Sequence, residues 1–476
     1  MKFMIHGMVI LLILACTGCT QNGTDSTSHL MVDTSFIVST FDTDEFTRIG
    51  GDSIHPLLPV LTANGGFETA DASYTGENGG SFMCEVENEP SLLLTRLARE
   101  EYDIAVLPLQ DYLAYRDLIA SSYPVVFCLT GWSNGAHSIV SYNSELTTIR
   151  GLPGRTVLAV EQSASYHLAS FFMQQLSIPP DSINWIYAAS RRELARNLEK
   201  SEADASESTN GIVQDGRTIL STADLPRFIP YVALATRKYM LTHKSELSHF
   251  IHSVLYGGHM LSTDPEGAIE TLSRAGVPSA DIAEAISAFL PTTYRENASF
   301  FGLSNEYRPD INTILYYDLL APEKSRVRPK RAYHSLYDTD MLTTTAIDMD
   351  FADADRPAAT LPDGERFLLF TVAVPLSDST DIDTAVQKRA LSRAGALHAL
   401  APSAEVEISF EIQQDSAVSY HVRMYLERAA LYARKNDIFQ HAPSIDYQTM
   451  YQIEKGRYDG PFAAQDRLII RFYGRR

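Results

Sequence analysis

Two rhythms of apolar and polar positions run along most of this chain. Short unbroken apolar runs at 104–108 (IAVLP), 125–129 (VVFCL), 155–160 (RTVLAV) and 366–375 (RFLLFTVAVP) predict strands buried on both faces of a sheet. Between such runs the spacing changes to that of helices. Leu92, Leu93, Leu97 and Ala98 share one side of 91–101, and Leu168, Phe171, Phe172 and Leu176 follow helical spacing further on. Further strands are predicted at 29–40, 138–142 and 227–237, and further helices at 245–261, 264–275, 281–290 and 312–320. The result is an α/β chain of two lobes with a helical tail.

The segment 151–187 carries the clearest local message. Pro153-Gly154 marks a turn, 155–160 a buried strand, and Gln162-Ser163-Ala164-Ser165 a cap that opens an amphipathic helix. A helix that starts directly after a parallel strand leaves backbone N–H groups at the positive end of its dipole, beside small hydroxyls. Such a place suits an anionic or polar ligand, and it equally suits an ordinary crossover with a plain cap.

Punctuation divides the rest. After Leu320 comes the basic, proline-marked stretch 322–331 and then the acidic, alanine- and proline-rich 348–363, a pairing that describes a linker. Beyond it a strand at 366–375, a helix at 382–400, a strand at 405–412, a helix at 422–434 and a strand at 467–473 form a segment long enough to fold alone. At the other end, one early positive charge and a short apolar run precede Cys16-Thr17-Gly18-Cys19, which describes a secretion signal too short to span a membrane. It resembles a lipobox, which implies lipidation of Cys19, with Cys16 as the competing site. A polar tether follows. The expected segments are a signal at 1–18, a tether at 19–34, a two-lobed body at 35–321, a linker at 322–364 and a last domain at 365–476.

Composition narrows the function. The formal charge of −20 over 476 residues argues against nucleic acid as a partner and against a basic membrane patch. An anionic ligand is still compatible, since helix ends and local donors outweigh distant charge. Beyond the signal only Cys84 and Cys128 are left, too few for a disulfide framework, and two separate, buried thiols are expected. Gly131-Trp132-Ser133-Asn134-Gly135 has the spacing of a nucleophile elbow, but a strand-like segment follows where a helix is needed. The thirteen histidines show no zinc spacing, and Asp348, Asp350, Asp353 and Asp355 lack the glycine and glutamate of a calcium loop. No glycine-rich phosphate loop is present, so ATP hydrolysis belongs to a partner. No metal, no cofactor and no catalytic residue are expected.

EYDIAVLPLQDYL, LPGRTVLAVEQSASYHLASFFMQQL and RFIPYVALATRKYMLTHKSELSHFIHSVL occur in an order and spacing that resemble a type II periplasmic substrate-binding protein of the nitrate/sulfonate/taurine and thiamine-pyrimidine kind. The resemblance implies a two-lobed fold with ligand between the lobes, at turns where strands end. It places ligand contacts at Ser39, Thr40, Pro108, Leu109, Gln110, Gln162, Ser163 and Ser165, with Trp132 and Tyr166 as an aromatic wall. The acidic, serine-rich 201–210 reads as an insert where a contact-bearing strand belongs. The tail, through ERFLLFTVAVPLSDSTDID, VEISFEIQQDS, MYLERAALYARKN and DRLIIRF, resembles an OmpA-like α+β domain. That likeness implies peptidoglycan contacts at Asp415 and Arg428.

These resemblances imply a lipid-anchored protein facing the periplasm that captures a small anion, sulfonate, pyrimidine or similar solute. Its partners would be an ABC permease and ATPase and, through the tail, peptidoglycan. The alternative is an envelope-interaction lipoprotein whose lobes no longer carry a transport ligand.

Overall fold

A computed structural model describes residues 46–63, 81–200, 203–209, 216–274, 279–304, 310–311, 314–315, 336–345, 366–375, 385–401, 404–411, 445–446 and 467–475. The first lobe opens with β1 (Phe46–Gly51), α1 (Leu58–Ala63), β2 (Ser81–Val86), α2 (Pro90–Ala98), β3 (Ile104–Pro108), α3 (Leu109–Tyr115) and β4 (Pro124–Ser133). The chain crosses to the second lobe, built from β5 (His137–Ser141), β6 (Thr156–Val160), α4 (Ala164–Gln175), β7 (Asn184–Ala188), α5 (Arg191–Leu198), β8 (Ala205–Thr209) and β9 (Arg217–Ser221). It then returns as β10 (Pro230–Thr236) and, after four described helices, β11 (Phe289–Pro291).

Each lobe has its own sheet. The first runs β11-β4-β10-β3-β1-β2 and the second β7-β6-β8-β5-β9. β1 lies parallel between β2 and β3, whereas the returning β10 enters antiparallel between β3 and β4. Two crossovers therefore join the lobes, at 134–136 and 222–229. This is the two-lobed α/β arrangement of a type II periplasmic-binding fold.

Apolar sequence explains the first sheet. Every residue of β3, β4 and β10 is buried, as their near-continuous apolar runs predict. Gly50 in β1 permits the close packing of α2, because a Cβ there would stand 2.5 Å from a Leu93 methyl and 2.6 Å from the Tyr102 ring. The expected helix at 281–290 ends earlier than its pattern. Ser279–Ser287 is helical, and Phe289–Pro291 pairs with β4 instead, since sheet pairing buries Phe289 and Pro291 cannot continue a helix.

A third sheet, β12-β15-β13-β14, comprises β12 (Arg366–Pro375), β13 (Glu405–Glu411), β14 (Ile445–Asp446) and β15 (Arg467–Arg475), with the helix Ala385–Leu400 between β12 and β13. It packs against the second lobe. Phe370 stacks on Phe172 with ring centroids 5.4 Å apart, Arg393 donates to Gln175 Oε1, and the Arg227 amide donates to the Leu400 carbonyl. Cys84 is half-buried and Cys128 buried, both as free thiols. Among the described residues no helix is long and apolar enough to cross a membrane.

Candidate functional site

The ends of three elements and the centre of a fourth meet where the lobes face each other. β1 ends in the turn Gly51-Asp52-Ser53, α3 begins with Leu109-Gln110-Asp111, α5 begins with Arg191, and β8 carries Glu207 at its centre. Asp52, Asp111 and Glu207 are at most 1% exposed, and Arg191 is 5% exposed. The Arg191 guanidinium reaches across from the second lobe. It donates to Asp111 Oδ2 at 2.7 Å, to Asp52 Oδ2 at 3.2 and 3.3 Å, and to the Asn88 carbonyl at 2.9 Å. Glu89 of the first lobe completes the junction. Its two oxygens accept the amides of Arg191 and Arg192, so a carboxylate sits on the positive end of α5.

The start of α4 is equally engaged. Ser163 is the N-cap, as the sequence predicts, and its Oγ accepts from the Tyr166 amide. Gln162 before it adopts a left-handed φ of 64° to make the tight strand-to-helix turn. The Ala164 amide donates to Asp111 Oδ1 at 2.8 Å, and Ser163 Oγ donates to Glu207 Oε2. Two of the chain's own carboxylates thus occupy the anion seat that the sequence suggested.

Electrostatics follow from burial. Desolvation pushes the Asp52 and Glu207 carboxyls up to about 7, against the pull of Arg191. Asp111 is raised for the same reason. Burial opposes the charge on Arg191, but Asp111 and Asp52 more than restore it. His55, buried beside Ser53, is lowered to about 4 and stays neutral at neutral pH. His137 is also held neutral by burial and by the nearby Arg191.

The crossovers form the floor of this region. Ser133 Oγ lies 2.7 Å from Thr222 Oγ1 and 2.9 Å from His137 Nδ1, and the Gly135 amide donates to Thr222 Oγ1. Gly135, at φ 117°, makes a turn that other residues resist. Ser133 ends one strand and His137 begins the next, so the serine sits in a strand–turn–strand and not on an elbow.

The structure gathers some expected residues and separates others. Ser163 lies in the cluster through Glu207, and Ser165 donates to the Ser208 carbonyl nearby. Pro108 and Leu109 are buried at the β3–α3 junction, and Gln110 donates to the Phe228 carbonyl of the second crossover. Gln162 forms the turn. The two aromatic residues do not share a wall: Trp132 packs edge-on against Phe300, and Tyr166 against Trp185 and Tyr187 of the second lobe's edge strand. Ser39, Thr40, Asp415, Arg428, Cys16 and Cys19 lie outside the described residues. So do the helix expected at 422–434 and the strand at 29–40. The first described strand is Phe46–Gly51, so Asp52 and Ser53 occupy the turn at its C-terminal end.

Sequence reasoning missed Asp52, Asp111, Arg191 and Glu207. Asp111 stands in EYDIAVLPLQDYL, directly after Pro108, Leu109 and Gln110. The other signal was the run Ala205–Thr209, whose placement after a helix fits a strand despite its polar composition.

No protein-family model and no curated protein matches this sequence. Solved structures do align. The ligand binding component of an ABC-type import system from Staphylococcus aureus, with zinc bound, aligns at 13% identity over 63% of this chain and 99% of its own, with a TM-score of 0.47. The periplasmic aliphatic sulphonate binding protein of Escherichia coli aligns at 17% identity over 61% and 98%, with a TM-score of 0.43. The periplasmic nitrate-binding protein of Synechocystis aligns at 10% identity over 51% and 70%, with a TM-score of 0.40. At such identities and TM-scores, it is the strand order and the two crossovers that carry the fold.

Proposed function

We propose that the two lobes bind a small polar solute between them and that the protein serves as the solute-binding component of an ABC importer. The supporting observation is the convergence of buried charged groups from both lobes, Asp52 and Asp111 from one, Arg191 and Glu207 from the other. Polar groups brought together from two lobes are what a hinged binding protein needs. The role is binding, not catalysis. The lipid on Cys19 would hold the body to a membrane facing the periplasm, and residues 365–476 would attach it to the envelope as an OmpA-like domain.

A solute at 100 times its dissociation constant stabilises its protein by about 2.7 kcal/mol, so thermal unfolding of the purified mature protein against a solute panel tests the reading. A clear rise in midpoint with one class of solute is expected, and a flat response across the panel would end it. Labelling with a radioactive fatty acid, lost in Cys19→Ala and kept in Cys16→Ala, tests the anchor. Sedimentation with peptidoglycan, lost in Arg428→Ala, tests the tail.

One observation favours a second reading, in which the lobes no longer take a transport ligand. Arg191 already fills the site between Asp52 and Asp111 with the protein's own cation. Under that reading Arg428→Ala abolishes sedimentation while no solute shifts the unfolding midpoint.

A further inference from the structure

The inner face of the lobes holds more negative than positive charge. Asp111 and Glu207 converge on adjacent residues at the start of α4, through the Ala164 amide and Ser163 Oγ. Asp52 joins Asp111 through their shared partner Arg191. Three buried carboxylates therefore stand around one guanidinium; His55 and His137 are held neutral, and His167 of α4 acts on Asp111 alone. Arg191 spends its charge on Asp52 and Asp111, which leaves Glu207 without an ion pair in contact. Above about pH 7, where Glu207 gives up its proton, closed lobes cannot keep such an imbalance cheaply, because an uncompensated buried charge is strongly disfavoured.

A second observation points the same way. Glu207 Oε1 is buried and has no hydrogen-bond partner, although the Val160 backbone also draws the carboxylate down. Gln110 Oε1 is a further buried acceptor without a partner, its own amide nitrogen being fixed on the Phe228 carbonyl. Unfilled acceptors call for donors. An ammonium or guanidinium supplies both the N–H donors that such oxygens lack and the positive charge that Glu207 lacks.

Resting on the solute-binding reading, we infer that the solute is an organic cation whose ammonium or guanidinium group is received by Glu207 Oε1. An inorganic anion or a sulfonate meets the reverse situation: the start of α4 is already filled by carboxylates, and the one guanidinium is already paired.

Calorimetric titration of the mature protein at pH 8 decides between these chemistries. Putrescine, agmatine and arginine form one panel, and sulfate, taurine and nitrate the other. Saturable binding of a cation is expected, weakened about tenfold or more in Glu207→Gln, which keeps the shape of the side chain and removes its charge. Binding of an anion with no response to cations would overturn the inference and leave the solute-binding reading standing. Silence in both panels would bring down both. Cation binding undiminished in Glu207→Gln would remove Glu207 as the receiving group. Should the variant not fold, the wild-type panels alone still separate cation from anion.

Discussion

β3 and β8 hold equivalent places in two sheets and are built from opposite materials. Each is flanked on both sides by other strands, and each is buried along its whole length. β3 reads IAVLP and β8 reads ASEST. The centre of the first sheet is held by apolar burial against α2, α3 and the neighbouring strands. The second is held by hydrogen bonds. Glu207 and Thr209 share the strand face that meets α4, where they find Ser163 and Ser165, while Ser206 Oγ donates to the Glu207 carbonyl. A polar strand survives inside a sheet only where its groups are paired. The second lobe thus trades cohesion for chemistry at the strand nearest the first lobe's acids.

Removing the cation that bridges the lobes breaks this comparison most severely. Arg191→Met leaves Asp52 and Asp111 buried without their partner, a class of change that costs about 3–5 kcal/mol. Urea unfolding at pH 8 should show that loss. At pH 5.5 the loss should shrink, because Asp52, raised to about 7, then takes a proton and no longer needs the guanidinium. Equal destabilisation at both pH values would mean that Arg191 acts by packing.

The apolar strand is tested by the reverse exchange. Val106 is fully buried in β3, and Val106→Ser gives it the chemistry of β8 without β8's partners. Lost burial plus an unpaired hydroxyl should cost about 3 kcal/mol in urea unfolding. A cost below about 1 kcal/mol would show that the first lobe tolerates polarity as well as the second does.

These two strands also mark how far the sequence could be read. β3, β4, β6, β10 and β12 were legible as apolar runs, and Ser163 as a cap, because each signal is local. The composition of 201–210 predicts an insert and not β8, because buried strands are recognised by apolar residues, and five polar or small residues give no such signal. Its burial depends on contacts with α4 some 40 positions away, as in the Ser163–Glu207 pair. Arg191 was invisible for a stronger reason. It opens a helix of the polar composition RRELARNL, which by pattern is a solvated surface helix. Its partner Asp52 is 139 residues distant.

The pH dependence of stability separates the strands without disturbing packing. Glu207 is raised from 4.5 to about 7 by burial, with Arg191 and the Ser163 hydroxyl drawing it down and Asp111 pushing it up. Tyr115, itself raised to about 12, feels the same acids and stays neutral throughout this range. A raised carboxyl binds its proton more tightly folded than unfolded. Its contribution is therefore fully present below about 4.5 and is lost as pH rises through 7. Wild-type stability should fall across that window, and Glu207→Gln should fall less steeply, with Asp52 supplying the remaining slope. Parallel curves for the two proteins would show that Glu207 does not titrate there.

The smallest effect is expected at Ser206, and it sharpens the comparison most finely. Ser206 is fully buried in β8, yet its hydroxyl donates only to the carbonyl of Glu207, the next residue in its own strand. Ser206→Ala removes the donor while leaving the carbonyl a second lone pair for the strand ladder. A hydrogen bond of this local kind contributes about 1 kcal/mol, and burying a methyl in place of a hydroxyl offsets part of it. The change in urea unfolding should stay within about 1 kcal/mol in either direction. If it does, polarity in β8 matters at the face that meets α4, where Glu207 and Thr209 stand, and not at the face of Ser206. A loss approaching that of Val106→Ser would show that both faces of β8 depend on their hydroxyls.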